Sequence, residues 1–93
     1  MIKTFRCRET EKIWNNEFSK RFPPDIQRAV RIKLRLLNRA SCALDLKSPP
    51  GNRLEALIGD RYGQFSIRVN QKYRICFRFT EENCYNVELV DYH

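Results

Sequence analysis

Three arginines at positions 68, 74 and 78, a carboxylate at Glu55 and the terminal run Asp91-Tyr92-His93 are the residues whose types suit one reaction. Together they could cut RNA without a metal ion. The 2′-hydroxyl of a ribose would attack the adjacent phosphate. That step needs a base for the hydroxyl, cations for the added charge on the phosphorane, and an acid for the departing 5′-oxygen. Glu55, Asp91 or His93 could act as base or acid, and an imidazole with an unperturbed pKa of about 6.5 can serve either way. Such groups typically contribute roughly 10²–10⁴-fold. Arg68, Arg74 and Arg78 would stabilise the transition-state charge, and Tyr92 could donate a hydrogen bond or stack on a base. The plainer account of any one arginine is a solvated sheet face. The plainer account of His93 is a fraying end beside its own α-carboxylate.

These residues need strands to position them, and the last thirty residues supply three. Phe65 to Asn70 alternates apolar and polar side chains with a period of two, and Tyr73 to Phe79 does the same with stronger β-formers. Asn70-Gln71-Lys72 and Glu81-Glu82-Asn83 read as the hairpin connections. Phe65, Ile67 and Val69 share one side of the first strand with Tyr73, Ile75, Phe77 and Phe79 of the second. Arg68, Arg74 and Arg78 then project together from the other side, with Cys76 partly exposed among them. In a regular third strand from Cys84 to Tyr92, the residues Tyr85, Val87 and Leu89 share a face with Asp91 and His93, opposite Tyr92.

Upstream, Ile2 to Cys7 reads as a short strand. Thr10 caps a first helix from Glu11 to about Phe18 that buries Ile13, Trp14 and Phe18, with Asn15-Asn16 fraying its end. Pro23-Pro24-Asp25 opens a second helix. Ile26, Ala29, Val30, Leu34, Leu37 and Ala40 form its apolar stripe. Arg28, Arg31, Lys33, Arg35 and Arg39 form a solvated basic face that could add affinity for RNA without specificity. Ser48-Pro49-Pro50-Gly51 connects the helical half to a strand over Arg53–Ile58, and Gly59 to Gly63 make the turn that follows. The order is strand, helix, helix, four strands. It predicts an α+β fold with the helices on one face of a twisted, mainly antiparallel sheet, in a single domain spanning residues 1–93.

Composition narrows the partners. Eighteen Lys and Arg against eleven Asp and Glu give a formal charge of +7 on 93 residues, which predicts a polyanionic partner with nucleic acid first. A chain of this size buries roughly 60–65% of its unfolded surface. The four cysteines have no C-x-x-C spacing and there is one histidine, so a zinc site is not expected and the thiols read as free. Gly59-x-x-x-Gly63 lacks the sequel of a phosphate loop, no H-E-x-x-H occurs, and no cofactor is implied. No run approaches a membrane span and the opening Met1–Arg6 is polar, so the expected location is the cytoplasm.

Several stretches carry a resemblance. Leu54-Glu55-Ala56-Leu57-x-Gly59-Asp60-Arg61, then Gly63 to Asn70 followed by Tyr73 to Phe79, and Val90-Asp91-Tyr92-His93 closely resemble the HigB killer-protein family of type II toxin–antitoxin systems, within the RelE/ParE superfamily. Met1-Ile2-Lys3-x-Phe5 and Phe22 to Arg28 match as well, so the resemblance covers essentially the whole chain. It implies the RelE-like fold and a toxin that cleaves mRNA in the ribosomal A site. The implied partners are the ribosome, its mRNA and a neutralising HigA-type antitoxin with a helix-turn-helix domain, with operator DNA reached only through the antitoxin complex. The family's terminal Asp-Tyr-His maps onto Asp91, Tyr92 and His93, and its arginine after the aromatic residue onto Arg74. Arg53, Arg61, Arg68 and Arg78 are then the residues expected to hold substrate. Some members carry a histidine where this chain has Glu55, and the usual lysine before Gly-Asp is Ile58 here, which removes a phosphate contact and predicts weaker activity. Two other readings share the fold: a ParE-like inhibitor of DNA gyrase, and a degenerate toxin kept as an antitoxin co-repressor.

Overall fold

The computed structural model describes residues 1–91. Alternation of β-branched and aromatic side chains with polar ones builds a four-stranded sheet. Its strands are β1 (Glu55–Ala56), β2 (Phe65–Arg68), β3 (Tyr73–Thr80) and β4 (Asn83–Asp91). The spatial order is β1-β2-β3-β4 and every pairing is antiparallel. Both hairpins have a local cause. Asn70 Oδ1 accepts hydrogen bonds from the backbone of Lys72 and Tyr73, each at 2.8 Å, which closes the first turn. Glu81 and Glu82 take left-handed backbone angles, φ 48° and 67°, the pair that a two-residue hairpin needs.

Two helices cover one face of this sheet: α1 (Arg8–Trp14) and α2 (Pro24–Arg39). Pro24 stands at the first turn of α2, where its missing N–H costs nothing. The α2 stripe buries Ile26, Val30, Leu34 and Leu37 against Ile67, Ile75, Phe77, Val87 and Leu89 of the sheet. Phe77 lies at the centre, fully buried; truncating such a ring to alanine costs about 3–5 kcal/mol. Gln27, also buried, links the preceding loop to α2 through hydrogen bonds with Ser19 and the Phe22 carbonyl.

The helices and the α+β architecture follow the sequence expectation, and several details do not. Helix α1 starts at Arg8, so Thr10 is buried inside it rather than capping it. The Thr10 hydroxyl accepts a hydrogen bond from the Leu89 N–H at 3.0 Å and so fastens α1 to β4. The helix stops at Trp14, Asn16 turns left-handed with φ 64°, and Phe18 is left exposed instead of buried. Residues 2–6 meet β4 in two isolated parallel bridges, Ile2 with Cys84 and Phe5 with Val87, rather than as a continuous strand. Arg53 has φ 45°, which breaks the expected strand and leaves only Glu55 and Ala56 paired with β2. Lys33 leaves the solvated face of α2 and donates to Asn52, whose amide holds the Leu46 and Ser48 carbonyls; burial lowers the Lys33 pKa.

One irregularity matters beyond its own position. The β3–β4 register moves from Cys76 opposite Glu88 to Arg78 opposite Tyr85, so β4 carries one extra residue across from Phe77. Asn86, with φ 55°, makes this bulge. Cys84 therefore enters the core with Val87 and Leu89, while Tyr85 stays half-buried outside it.

Candidate active site

The face of the sheet away from the helices carries the arginines, as the alternation requires. Arg68 on β2 stands directly opposite Arg74 on β3. Two guanidinium groups side by side repel unless something holds one of them, and Arg74 is held. Its Nε donates to Ser66 Oγ at 2.8 Å, and Nη2 donates to the Arg53 carbonyl at 2.6 Å and the Ser66 carbonyl at 3.3 Å. The left-handed turn at Arg53 is what aims that carbonyl at Arg74. The residue is only 8% exposed, so its charge works in a partly dry setting where electrostatic contacts are stronger than in water.

Glu55 is the carboxylate beside it. Its Oε1 lies 3.9 Å from Arg74 Nη1, and Glu55 is exposed while Arg74 is not. The two thus stand at the mouth and the floor of one hollow, lined by Arg53, Glu55, Arg68, Asn70, Gln71 and Arg74. Its volume is about 290 Å³, at the small end of ligand pockets, which run from about 300 Å³ upward. That suits a phosphodiester seated on guanidinium groups better than a whole buried nucleotide. Arg68 Nε spends one donor on the Asn70 carbonyl at 3.1 Å, which points the rest of its guanidinium along the rim.

Arg61 and Arg78 lie further along the same face. Arg61 Nη1 donates to Glu88 Oε1 at 2.7 Å and to Gln64 Oε1 at 3.1 Å, so the loop after β1 is fastened across the sheet to β4. Cys76, expected to be partly exposed, is fully buried at this position. Burial raises its thiol pKa; Glu88 adds to the rise, and Arg61 and Arg74 oppose it. Arg78 is exposed at the outer end and its guanidinium lies against Gly63, where a Cβ would come within 2.7 Å of Arg78 Nη1.

Asp91 is not part of this group. It pairs with Tyr73, on the helix-side parity, and its Oδ2 lies 3.6 Å from Lys72 Nζ. Its side chain lines a separate hollow with Arg6, Arg8, Arg21, Phe22 and Tyr73. The expected parity of Asp91 with Val87 and Leu89 is the observed one; the carboxylate that the structure sets beside Arg74 is Glu55. Tyr92 and His93 lie outside the described residues.

Two contributors were missed in the sequence. Ser66 shares the parity of Arg68, so the alternation itself pointed to it, yet a serine among arginines carries no chemical flag. Glu88 alternates with Val87 and Leu89, so the period put it on this face, yet no residue type named Arg61 as its partner.

The arrangement of cations around one exposed carboxylate can be set beside known proteins. A family model described as the RelE-like toxin of the type II toxin–antitoxin system HigB matches residues 3–93. The chain is 36% identical over 90 residues to Toxin HigB-1 of Vibrio cholerae serotype O1, covering 96% of this chain and 95% of that one. An uncharacterized protein of Haemophilus influenzae is 30% identical over 69 residues, 74% of this chain and 68% of its own length. Among solved structures, the heterotetrameric YoeB–YefM toxin–antitoxin complex of Staphylococcus aureus holds a chain similar at TM-score 0.64 and 15% identity, covering 100% of this chain and 95% of that one. A second YoeB–YefM complex from the same organism gives TM-score 0.59 at 12% identity, covering 100% and 98%. These two likenesses speak for the fold, which is RelE-like. With a match over residues 3–93 and a relative of 36% identity along nearly its whole length, the chain belongs to the HigB-like family of RelE-like toxins of type II toxin–antitoxin systems.

Proposed function

We propose that this toxin is a ribosome-dependent endoribonuclease that cuts mRNA and so stops translation. The observation that carries the reading is the hollow where Arg68 and Arg74 stand opposite one another with Glu55 at its mouth. The scissile phosphate sits on those guanidinium groups, with Arg53 at the rim. Glu55 takes the proton from the 2′-hydroxyl, whose oxygen then attacks phosphorus. The P–O5′ bond breaks, leaving a 2′,3′-cyclic phosphate and a free 5′-hydroxyl. Charge that develops on the phosphoryl oxygens meets cations already in place, and such preorganised stabilisation usually lowers a barrier more than any other single effect. His93 is assigned the proton for the leaving oxygen on its chemistry, since imidazole exchanges protons near neutral pH. Holding the mRNA in line is left to the ribosome, and this is how a site with few strong acid–base groups suffices.

The same reading gives the toxin a cytoplasmic location, a single domain over residues 1–93, and a HigA-type helix-turn-helix antitoxin as its partner. The two related YoeB folds occur in toxin–antitoxin complexes, which supports a partner of that kind. Among the described residues no helix is long and apolar enough to cross a membrane. The test is cleavage of a defined mRNA by purified protein with and without programmed 70S ribosomes, mapped by primer extension. Cuts that need ribosomes and vanish in Arg74→Ala and Glu55→Ala, with both variants folded, are the expected result. Growth arrest with no cut in either condition overturns the nuclease and points to a target such as gyrase.

A further inference from the structure

The loop between β1 and β2 presents an apolar surface that neither the fold nor the arginine hollow uses. Residues 57–64 close on themselves through Leu57 N–H to the Gln64 carbonyl at 2.8 Å, Tyr62 N–H to Gly59 at 3.0 Å and Gln64 N–H to Arg61 at 3.0 Å. Leu57 and Gln64 are buried at its base, and the Arg61–Glu88 contact ties it across to β4. The loop is therefore well anchored. Yet Ile58 and Tyr62, at the two ends of its single 3₁₀ turn (Gly59–Arg61), are 84% and 79% exposed. They are the two most exposed large hydrophobic residues among those described. The Tyr62 ring stands out in solvent with its faces open.

Charge says what such a surface faces. Tyr62 is flanked in sequence by Arg61 and by Gly63, against which the Arg78 guanidinium lies. A ring in solvent next to the glycine that Arg78 lies against, in a loop flanking a sheet face that carries Arg68, Arg74 and Arg78, is the pairing that single-stranded nucleic acid meets: guanidinium groups for the backbone, a flat ring for a base. A protein partner fits less well. One ring and one aliphatic side chain fall far short of the roughly 800 Å² per partner that a stable protein interface buries. We propose that Tyr62 is a stacking platform for one unpaired nucleobase of the RNA strand that runs along the arginine face away from the cleaved phosphate. This rests on the reading of the arginine face as an RNA-cleaving site. The platform prefers bases by their stacking strength and is tolerant of sequence otherwise.

The test titrates wild type, Tyr62→Phe and Tyr62→Ala against a defined mRNA on programmed 70S ribosomes, with the natural message and with single abasic positions around the cut. Tyr62→Ala raises the half-saturating toxin concentration by about 5- to 150-fold, the equivalent of roughly 1–3 kcal/mol of base–aromatic stacking. Tyr62→Phe stays near wild type, because a stacking ring needs no hydroxyl. One abasic position weakens wild type to the same extent and adds nothing to Tyr62→Ala. All three proteins melt at the same temperature, since the side chain is exposed. Equal cleavage by wild type and Tyr62→Ala overturns the platform and leaves the nuclease standing. Loss of antitoxin capture in Tyr62→Ala with unaltered cleavage makes the ring a protein contact and overturns it too. No cleavage by wild type on any message overturns both readings together.

Discussion

Replacing Ser66 by alanine tests the site at its most economical point, because it leaves every charge in place. Ser66 is fully buried and its hydroxyl accepts the Arg74 Nε–H at 2.8 Å. A hydrogen bond to a charged group contributes about 1.5–3 kcal/mol, and the alanine variant removes that acceptor from a guanidinium that water barely reaches. The bonds from Nη2 to the Arg53 and Ser66 carbonyls remain, so the group is loosened rather than released. The expected stability loss is therefore about 1.5–3 kcal/mol, and for a domain of this size each kcal/mol lowers Tm by about 4–8 °C. Activity is a separate readout. If the freed guanidinium loses about 1.4 kcal/mol of alignment toward the phosphorane, kcat falls about tenfold, with KM little changed because ground-state charge is intact. Single-turnover cleavage on programmed ribosomes, well below the Tm of the variant, measures this; Ser66→Thr restores the hydroxyl and most of the rate. A variant that loses stability but cleaves at the wild-type rate would falsify the idea that Ser66 aims Arg74 at the reaction. A variant with wild-type Tm shows that the bond contributes nothing to folding.

Other expectations follow from single contacts. Thr10→Val keeps the shape and deletes the acceptor of the Leu89 N–H, so unfolding becomes easier by about 1–3 kcal/mol, read by denaturant titration, with faster amide exchange at Leu89. Gly63→Ala strains a backbone at φ 93° and drives a methyl group toward Arg78, so both stability and cleavage fall while Gly51→Ala, which meets nothing within 4 Å, leaves both unchanged. In thiol labelling at pH 8, Cys7 and Cys42 react in the native protein, whereas Cys76 and Cys84 react only on unfolding. Burial lifts the Cys84 pKa from an ordinary 9.0 to about 11. Its neutral thiol thus costs the fold nothing below pH 9; between there and pH 11 the unfolded chain ionises first, and stability drops as pH rises. A denaturation midpoint that is flat across that window in wild type, and unchanged by Cys84→Ala, contradicts this.

Much of the architecture was legible because it rests on periods that side chains enforce. The α2 stripe and the alternation in β2 and β3 set which face is core, and with it the shared side of Arg68, Arg74 and Arg78. Legibility stopped where backbone conformation or a distant partner decides. Arg53 reads as strand from its neighbours, and its left-handed angle is dictated by a packed loop that no local propensity encodes. Arg74 reads as an exposed cation, yet its burial depends on a carbonyl 21 residues away. Thr10 resembles a cap because helix starts favour hydroxyls, but β4 uses that hydroxyl for itself. In the site, residue type named Glu55 and Asp91 equally; the alternation already set Asp91 with Val87 and Leu89, and the fold put Glu55 beside Arg74.

The phase of β4 changes along its length at the extra residue Asn86. Counted without interruption from buried Cys84, the strand would turn Glu88 and Val90 inward and send Leu89 and Asp91 to the arginine side. The inserted residue shifts the phase by half a period, so that two apolar side chains keep the core and Glu88 becomes the counter-ion of Arg61. Asp91 is left to the opposite surface with Lys72. Deleting Asn86 would remove the bulge and leave Cys84, Val87, Leu89 and Asp91 in one unbroken alternation, so the shortened strand would keep both its core and its charge pattern. The bulge works as a one-residue clutch: by taking Asn86 out of the pairing it lets Cys84 at the start of the strand and Val87 and Leu89 further on face the same core, with Glu88 left to the arginine side.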